Sequence, residues 1–117
     1  MSNFVTKNVD ENHVSIFFNI GENEVMAVGE KMESINEEAY MNGYNWEAFL
    51  NSYLQSNYPE LLEGLDTDSE AGAYVALYDN ADVNKADKLV EIINELVENP
   101  EKVFSYLENN GEEIEWD

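Results

Sequence analysis

The chain has 117 residues, 26 of them Asp or Glu against 5 Lys and no Arg, for a formal charge of −21. That balance argues against nucleic acid and anionic membrane as partners, since phosphate is held by Lys and Arg, and favours a basic protein or a cation. An apolar share of 44 %, with 7 Tyr, 5 Phe and 2 Trp, is enough for one core, and the lack of Cys removes disulfides, a thiolate nucleophile and Cys-based zinc.

One domain, residues 1–117, is expected, with residues 1–12 as a loose polar lead-in. The start, Met1 to Lys7, has no basic and apolar leader. No run approaches the ~20 apolar residues of a membrane span, so a cytoplasmic location is expected. From His13 to Ile20 the chain alternates, with Val14, Ile16, Phe18 and Ile20 on one face and His13, Ser15, Phe17 and Asn19 on the other. This is a strand. Gly21 to Glu24 reads as a turn and Val25 to Val28 as a second, short strand of a hairpin. Met32, Ile35, Ala39 and Tyr40 then recur at helical spacing.

Asn42-Gly43-Tyr44-Asn45 is a turn into a helix, with Asn45 a candidate N-cap. Trp46, Phe49, Leu50, Tyr53 and Leu54 follow at i, i+3, i+4, i+7 and i+8, which predicts one apolar stripe. Pro59 suits the first position of a short continuation through Leu62, ended by Gly64. Ala71 to Tyr78 is almost continuously apolar and predicts a buried strand. Asp82 or Asn84 would cap the next helix, whose stripe is Ala86, Leu89, Val90, Ile93, Leu96 and Val97. Asn99-Pro100 ends it and begins another, with Val103, Phe104 and Leu107 facing inward before Asn109-Asn110-Gly111. Ile114 and Trp116 alternate with Glu113, Glu115 and Asp117, a short strand or an ordered tail. The sum is α+β, a small, mainly antiparallel sheet with helices packed on one side.

Catalytic equipment is sparse. The single His, His13, lies within a strand pattern, and no nucleophile, zinc, P-loop or dinucleotide motif occurs. The chain reads as a binding protein, not an enzyme, with no cofactor. Asp66-Thr67-Asp68-Ser69-Glu70-Ala71-Gly72 opens like a calcium loop, but Ala71 occupies the place of the Gly and Leu77 that of the bidentate Glu, so an EF-hand is rejected. Its plain reading is a turn whose Asp side chains serve local backbone donors. An acidic calcium-binding protein is the alternative function.

Acid is unevenly spread: residues 60–117 hold 17 Asp and Glu against 3 Lys. Glu91, Glu95 and Glu98 fall at i, i+4 and i+7, with only Lys88 within reach, so the row is not neutralised and costs helix stability. Glu98 adds to that cost at the negative end of the helix dipole. The commoner meaning of such a row is a solvated face; the sharper one is a docking face. Candidate partner contacts are Glu91, Glu95 and Glu98, followed by Asp66 and Asp68 and the acidic ending Glu112, Glu113 and Glu115.

Three segments, Asn42-Gly43-Tyr44-Asn45-Trp46-Glu47, Asp66 to Gly72 and Glu113-Ile114-Glu115-Trp116-Asp117, together resemble the immunity protein 51 family of bacterial polymorphic toxin systems. Ser69 stands where many relatives carry Pro, a departure that leaves the resemblance standing. The resemblance implies a cytoplasmic antidote that binds and inhibits a cognate toxin, and it carries over no catalytic residue. A toxin with a basic surface, for instance a nuclease, would complement the acidic face. The same segments also have structural reasons: Gly43 for a positive-φ turn, Trp46 for the stripe and Gly72 for close strand packing.

Overall fold

The computed structural model describes residues 4–117. Met1 to Asn3 of the expected loose lead-in lie outside them. The remainder of that lead-in is not loose. Val5–Val9 forms an edge strand, β1, antiparallel to β2, His13–Asn19. The turn between them is fixed by Asp10, whose Oδ1 accepts the backbone N–H groups of Asn12 and His13, each at 2.8 Å. These two donors hold the Asp10 carboxyl below its ordinary pKa.

The expected second strand at Val25–Val28 is instead helix: α1 spans Asn23–Ile35. Val25, Val28 and Met32 are buried whereas Met26 and Ala27 face out. The period of 3.6 that continues to Met32 outweighs the local strand preference of the valines. Helix α2, Gly43–Asn57, carries Trp46, Phe49, Leu50 and Leu54 into the core as the stripe predicts. Its N-cap is Asn42, not Asn45: the Asn42 side chain accepts the Asn45 N–H at 2.8 Å. A 3₁₀ turn at Pro59–Leu62 follows, and Gly64 supplies the one positive φ among the described residues, +79°.

Asp66–Thr67 (β3) pairs with Ala73–Asp79 (β4), giving a four-stranded antiparallel sheet in the order β1-β2-β4-β3. Val14 lies opposite Tyr78, Ile16 opposite Ala76 and Phe18 opposite Tyr74, and all six are buried on one face beneath the helices. On the reverse face Phe17 is 40 % exposed. The one-sided α+β arrangement therefore holds. Tyr78 shows how polar atoms enter this core: its hydroxyl donates to the Leu61 carbonyl at 2.5 Å, and burial pushes its pKa up to about 12.

Helix α3, Val83–Glu98, crosses β1, β2 and β4, with α2 against β4. Its buried stripe includes Ile92, and Val90 is only partly covered. Helix α4, Glu101–Asn110, packs mainly on α1 and buries Val103 and Leu107. A last 3₁₀ turn at Gly111–Glu113 leads into an ordered tail in which Ile114 is buried. Edge-to-face contacts of Phe18 with Trp46 (5.1 Å) and of Trp46 with Phe49 (5.9 Å) join the sheet to α2.

Candidate functional site

The three sequence motifs converge at the N-terminus of α2. Residues 66–72 form β3 and the turn of a hairpin, closed by Glu70 N–H to the Ala73 carbonyl at 2.9 Å. Gly43 lies against that turn and donates its N–H to Ala71 O at 2.8 Å. A Cβ on Gly43 would stand 1.8 Å from the Glu70 oxygen and 2.3 Å from the Ala73 oxygen. Close approach, not a positive φ, is what demands glycine here. The expectation for Gly72 is likewise overturned, because nothing lies within 4 Å of the place its Cβ would take.

Asn45 ties in the third motif. It is a buried polar side chain; its Nδ2 donates to Tyr40 O at 2.8 Å and its Oδ1 accepts the Asp117 N–H at 2.6 Å. One amide thus holds the loop before α2 and the tail after α4. Its pairing satisfies groups that would be costly to bury alone. Residues 111–117 are pinned inward by Ile114 and this bond, which turns Glu113 and Glu115 outward.

Two concave surfaces flank the pinned segment and share Glu113. The first is a cleft between the end of α1, residues 35–38, and the end of α4 with its 3₁₀ turn, residues 107–113. Asn36 fits there because Gly111 has no side chain: a Cβ would meet the Asn36 amide at 2.9 Å. Glu37, Glu38, Glu108, Glu112 and Glu113 line the cleft, beside apolar surface from Ile35 and Leu107. No Lys is among the lining residues, and neither α1 nor α4 has a basic residue in its last turn. Two helix C-termini thus add their negative dipole ends to five carboxylates. The second surface is a groove beside α2 lined by Tyr44, Glu47, Ala48, Asn51, Ser52, Gln55 and Ser56, and by Tyr106, Glu113, Glu115, Trp116 and Asp117 from the opposite side.

The acidic candidates named from sequence do not form one surface. Glu112, Glu113 and Glu115 line these concavities. Asp66 and Asp68 belong to the β3 edge, where Asp66 Oδ1 accepts the Thr67 N–H at 3.1 Å. In the same segment it is Ser69 Oγ, not Asp68, that accepts a backbone N–H, from Val75 at 3.2 Å. Glu91, Glu95 and Glu98 are exposed on α3, and their row is better compensated than i, i+4 reasoning implies. Lys102 of α4 bonds Glu95 at 2.5 Å, and Lys88 stands 3.9 Å from Glu91. The Glu95–Lys102 hydrogen bond holds the Glu95 carboxyl below its ordinary value and raises Lys102.

Glu37, Glu38, Glu47 and Glu108 were missed. Glu37 and Glu38 sit in a stretch read as helix continuing to Tyr40, and Glu108 meets them only through the α1–α4 packing. The one legible signal was the acid run after Asn109-Asn110-Gly111. Among the described residues no three His, Asp or Glu side chains converge to hold a metal ion. No helix there is long and apolar enough to cross a membrane.

The family model described as immunity protein 51 matches residues 4–112. No curated protein and no solved structure matches the chain.

Proposed function

The chain belongs to the immunity protein 51 family, and from that premise we propose that it neutralises a cognate bacterial toxin by binding it through the acidic surface on either side of residues 111–117. The family implies an immunity role, a toxin as partner and inhibition without catalysis. The observation that carries the placement is the cleft at the ends of α1 and α4: five carboxylates, two helix C-termini and no lining cation. A concave surface lined by one sign of charge concentrates the field and attracts a partner of opposite sign. The half-buried Ile35 would pack against the aliphatic stem of a Lys or Arg whose head meets the carboxylates. A nuclease toxin fits this chemistry, because its phosphate-binding surface is already basic. The antidote acts in the cytoplasm of the cell that makes the toxin.

Co-expression with the C-terminal domain of a candidate toxin from the same genome tests the reading. A stable complex that suppresses toxicity is expected, with an association rate near 10⁸–10⁹ M⁻¹s⁻¹ at low salt that falls steeply as salt rises. A complex whose association rate ignores salt would remove the acidic surface from the mechanism. Failure to form a complex would remove the reading itself.

A further inference from the structure

We propose that the groove beside α2 holds an extended, arginine-bearing segment of the partner, lying along the helix with its guanidinium groups against Tyr44 and Trp116. This rests on the toxin-binding reading and names the chemistry of what is bound.

The groove differs in kind from the cleft. Its α2 wall runs from Tyr44 to Ser56 at i, i+3, i+4, i+7, i+8, i+11 and i+12, one helix face that Tyr106 of α4 meets near its far end, at Ser52 and Ser56. Three turns of helix make that face about 18 Å long, at ~1.5 Å per residue. An extended chain covers such a length in roughly five residues, at ~3.3 Å each. A single ion or small metabolite would leave most of it empty.

Aromatic and acidic groups together select the occupant. Tyr44 is 44 % exposed. Tyr106 is held in place, its hydroxyl 2.6 Å from Ser52 Oγ. The carboxylates of Glu47, Glu113, Glu115 and Asp117 line the same groove, and no salt bridge involves any of them among the described residues. Flat aromatic faces next to unpaired carboxylates suit a planar, weakly hydrated guanidinium better than a strongly hydrated ammonium. The chain has no Arg of its own to fill the groove.

The probe is a blocked penta-arginine peptide, titrated into the ¹⁵N-labelled full chain at low salt, with penta-lysine and penta-citrulline peptides as controls. Arginine should shift the amide signals of residues 44–56 and the Trp116 indole N–H, binding about two- to fivefold more tightly than lysine. Citrulline, isosteric but uncharged, should shift neither. Tyr44→Ala and Glu115→Gln, both at exposed positions, should each weaken the arginine peptide while leaving Tm unchanged. Equal binding of lysine with shifts spread over α3, or equal binding of citrulline, overturns the proposal. The titration needs no toxin: if the peptide fails while the toxin still co-purifies, the groove assignment falls and the immunity reading stands.

Discussion

The two sides of residues 111–117 are built oppositely. Inward, Ile114 enters the core and the Asp117 N–H meets a buried amide, at a junction where Gly43 touches the hairpin turn backbone. Outward, Glu112, Glu113 and Glu115 join Glu37, Glu38 and Glu108 at a rim with no lining cation. The inner side is dense and hydrogen-bonded, so substitutions there act on folding. The outer side gathers like charge that works against the compact state. On the proposed toxin-binding role, binding of a partner would offset that cost in stability. The difference is testable as a separation of effects: stability should be lost on one side and binding on the other.

Gly43→Ala should have the largest effect. The new Cβ would lie 1.8 Å from a backbone oxygen, so α2 or the hairpin must move. A loss of at least about 3 kcal/mol, or failure to fold, is expected in urea denaturation. Gly72→Ala sharpens the result, because its Cβ meets open space and its φ is not positive. It should change stability by no more than about 0.5 kcal/mol. Equal effects at the two glycines would break the account of the junction.

Asn45→Ala comes next. It strips the Tyr40 carbonyl and the Asp117 N–H of their shared partner, at a cost of about 2–3 kcal/mol. Amide exchange should quicken selectively at Trp116 and Asp117, since the tail loses this tether. If the tail keeps its protection, Ile114 alone holds it and Asn45 is not the tie.

How much of this was legible in the sequence depended on the range of the interaction. The stripe from Trp46 to Leu54 and the alternation from Val14 to Ile20 follow from local periodicity, and both occur as expected. Val25 to Val28 misled because four residues rich in valine satisfy a strand and a helix equally, and only Met32 a turn later decides between them. Val5 to Val9 is a strand because β2 offers it an edge, a partner invisible in a short polar window. The cleft was least legible. Glu37 and Glu108 are about seventy positions apart, and only the packing of α1 on α4 brings them together.

Replacing Glu37, Glu38, Glu108, Glu112 and Glu113 by Gln probes the outer side. The variant should keep or slightly raise Tm at low salt, because it relieves repulsion without removing a contact. Its association with the toxin should slow, and the salt dependence of that rate should flatten. A large drop in Tm would mean that the rim is structural and would erase the contrast between the two sides.

The smallest effect, and the finest test, is Lys102→Met. Glu95 differs from the cleft carboxylates in having Lys102 at 2.5 Å, and that bond depresses its pKa. A carboxyl depressed in the folded state contributes stability above its unfolded pKa, and the contribution disappears as pH falls through the folded value. Wild type and Lys102→Met should therefore differ slightly near neutrality and converge in acid, with the Glu95 carboxyl titrating higher in the variant. The pair is exposed, so the difference in stability is small. Its use lies in binding. The substitution leaves Glu91, Glu95 and Glu98 with Lys88 as their one near cation, close to the pattern that i, i+4 spacing alone implies. If α3 takes part in docking, this added negative charge should speed toxin association by more than the net change of one charge produces elsewhere on the surface. If the rate rises no more than for a charge-matched change such as Lys31→Met, on the exposed side of α1, the row on α3 is a solvated face and docking belongs to the grooves beside residues 111–117.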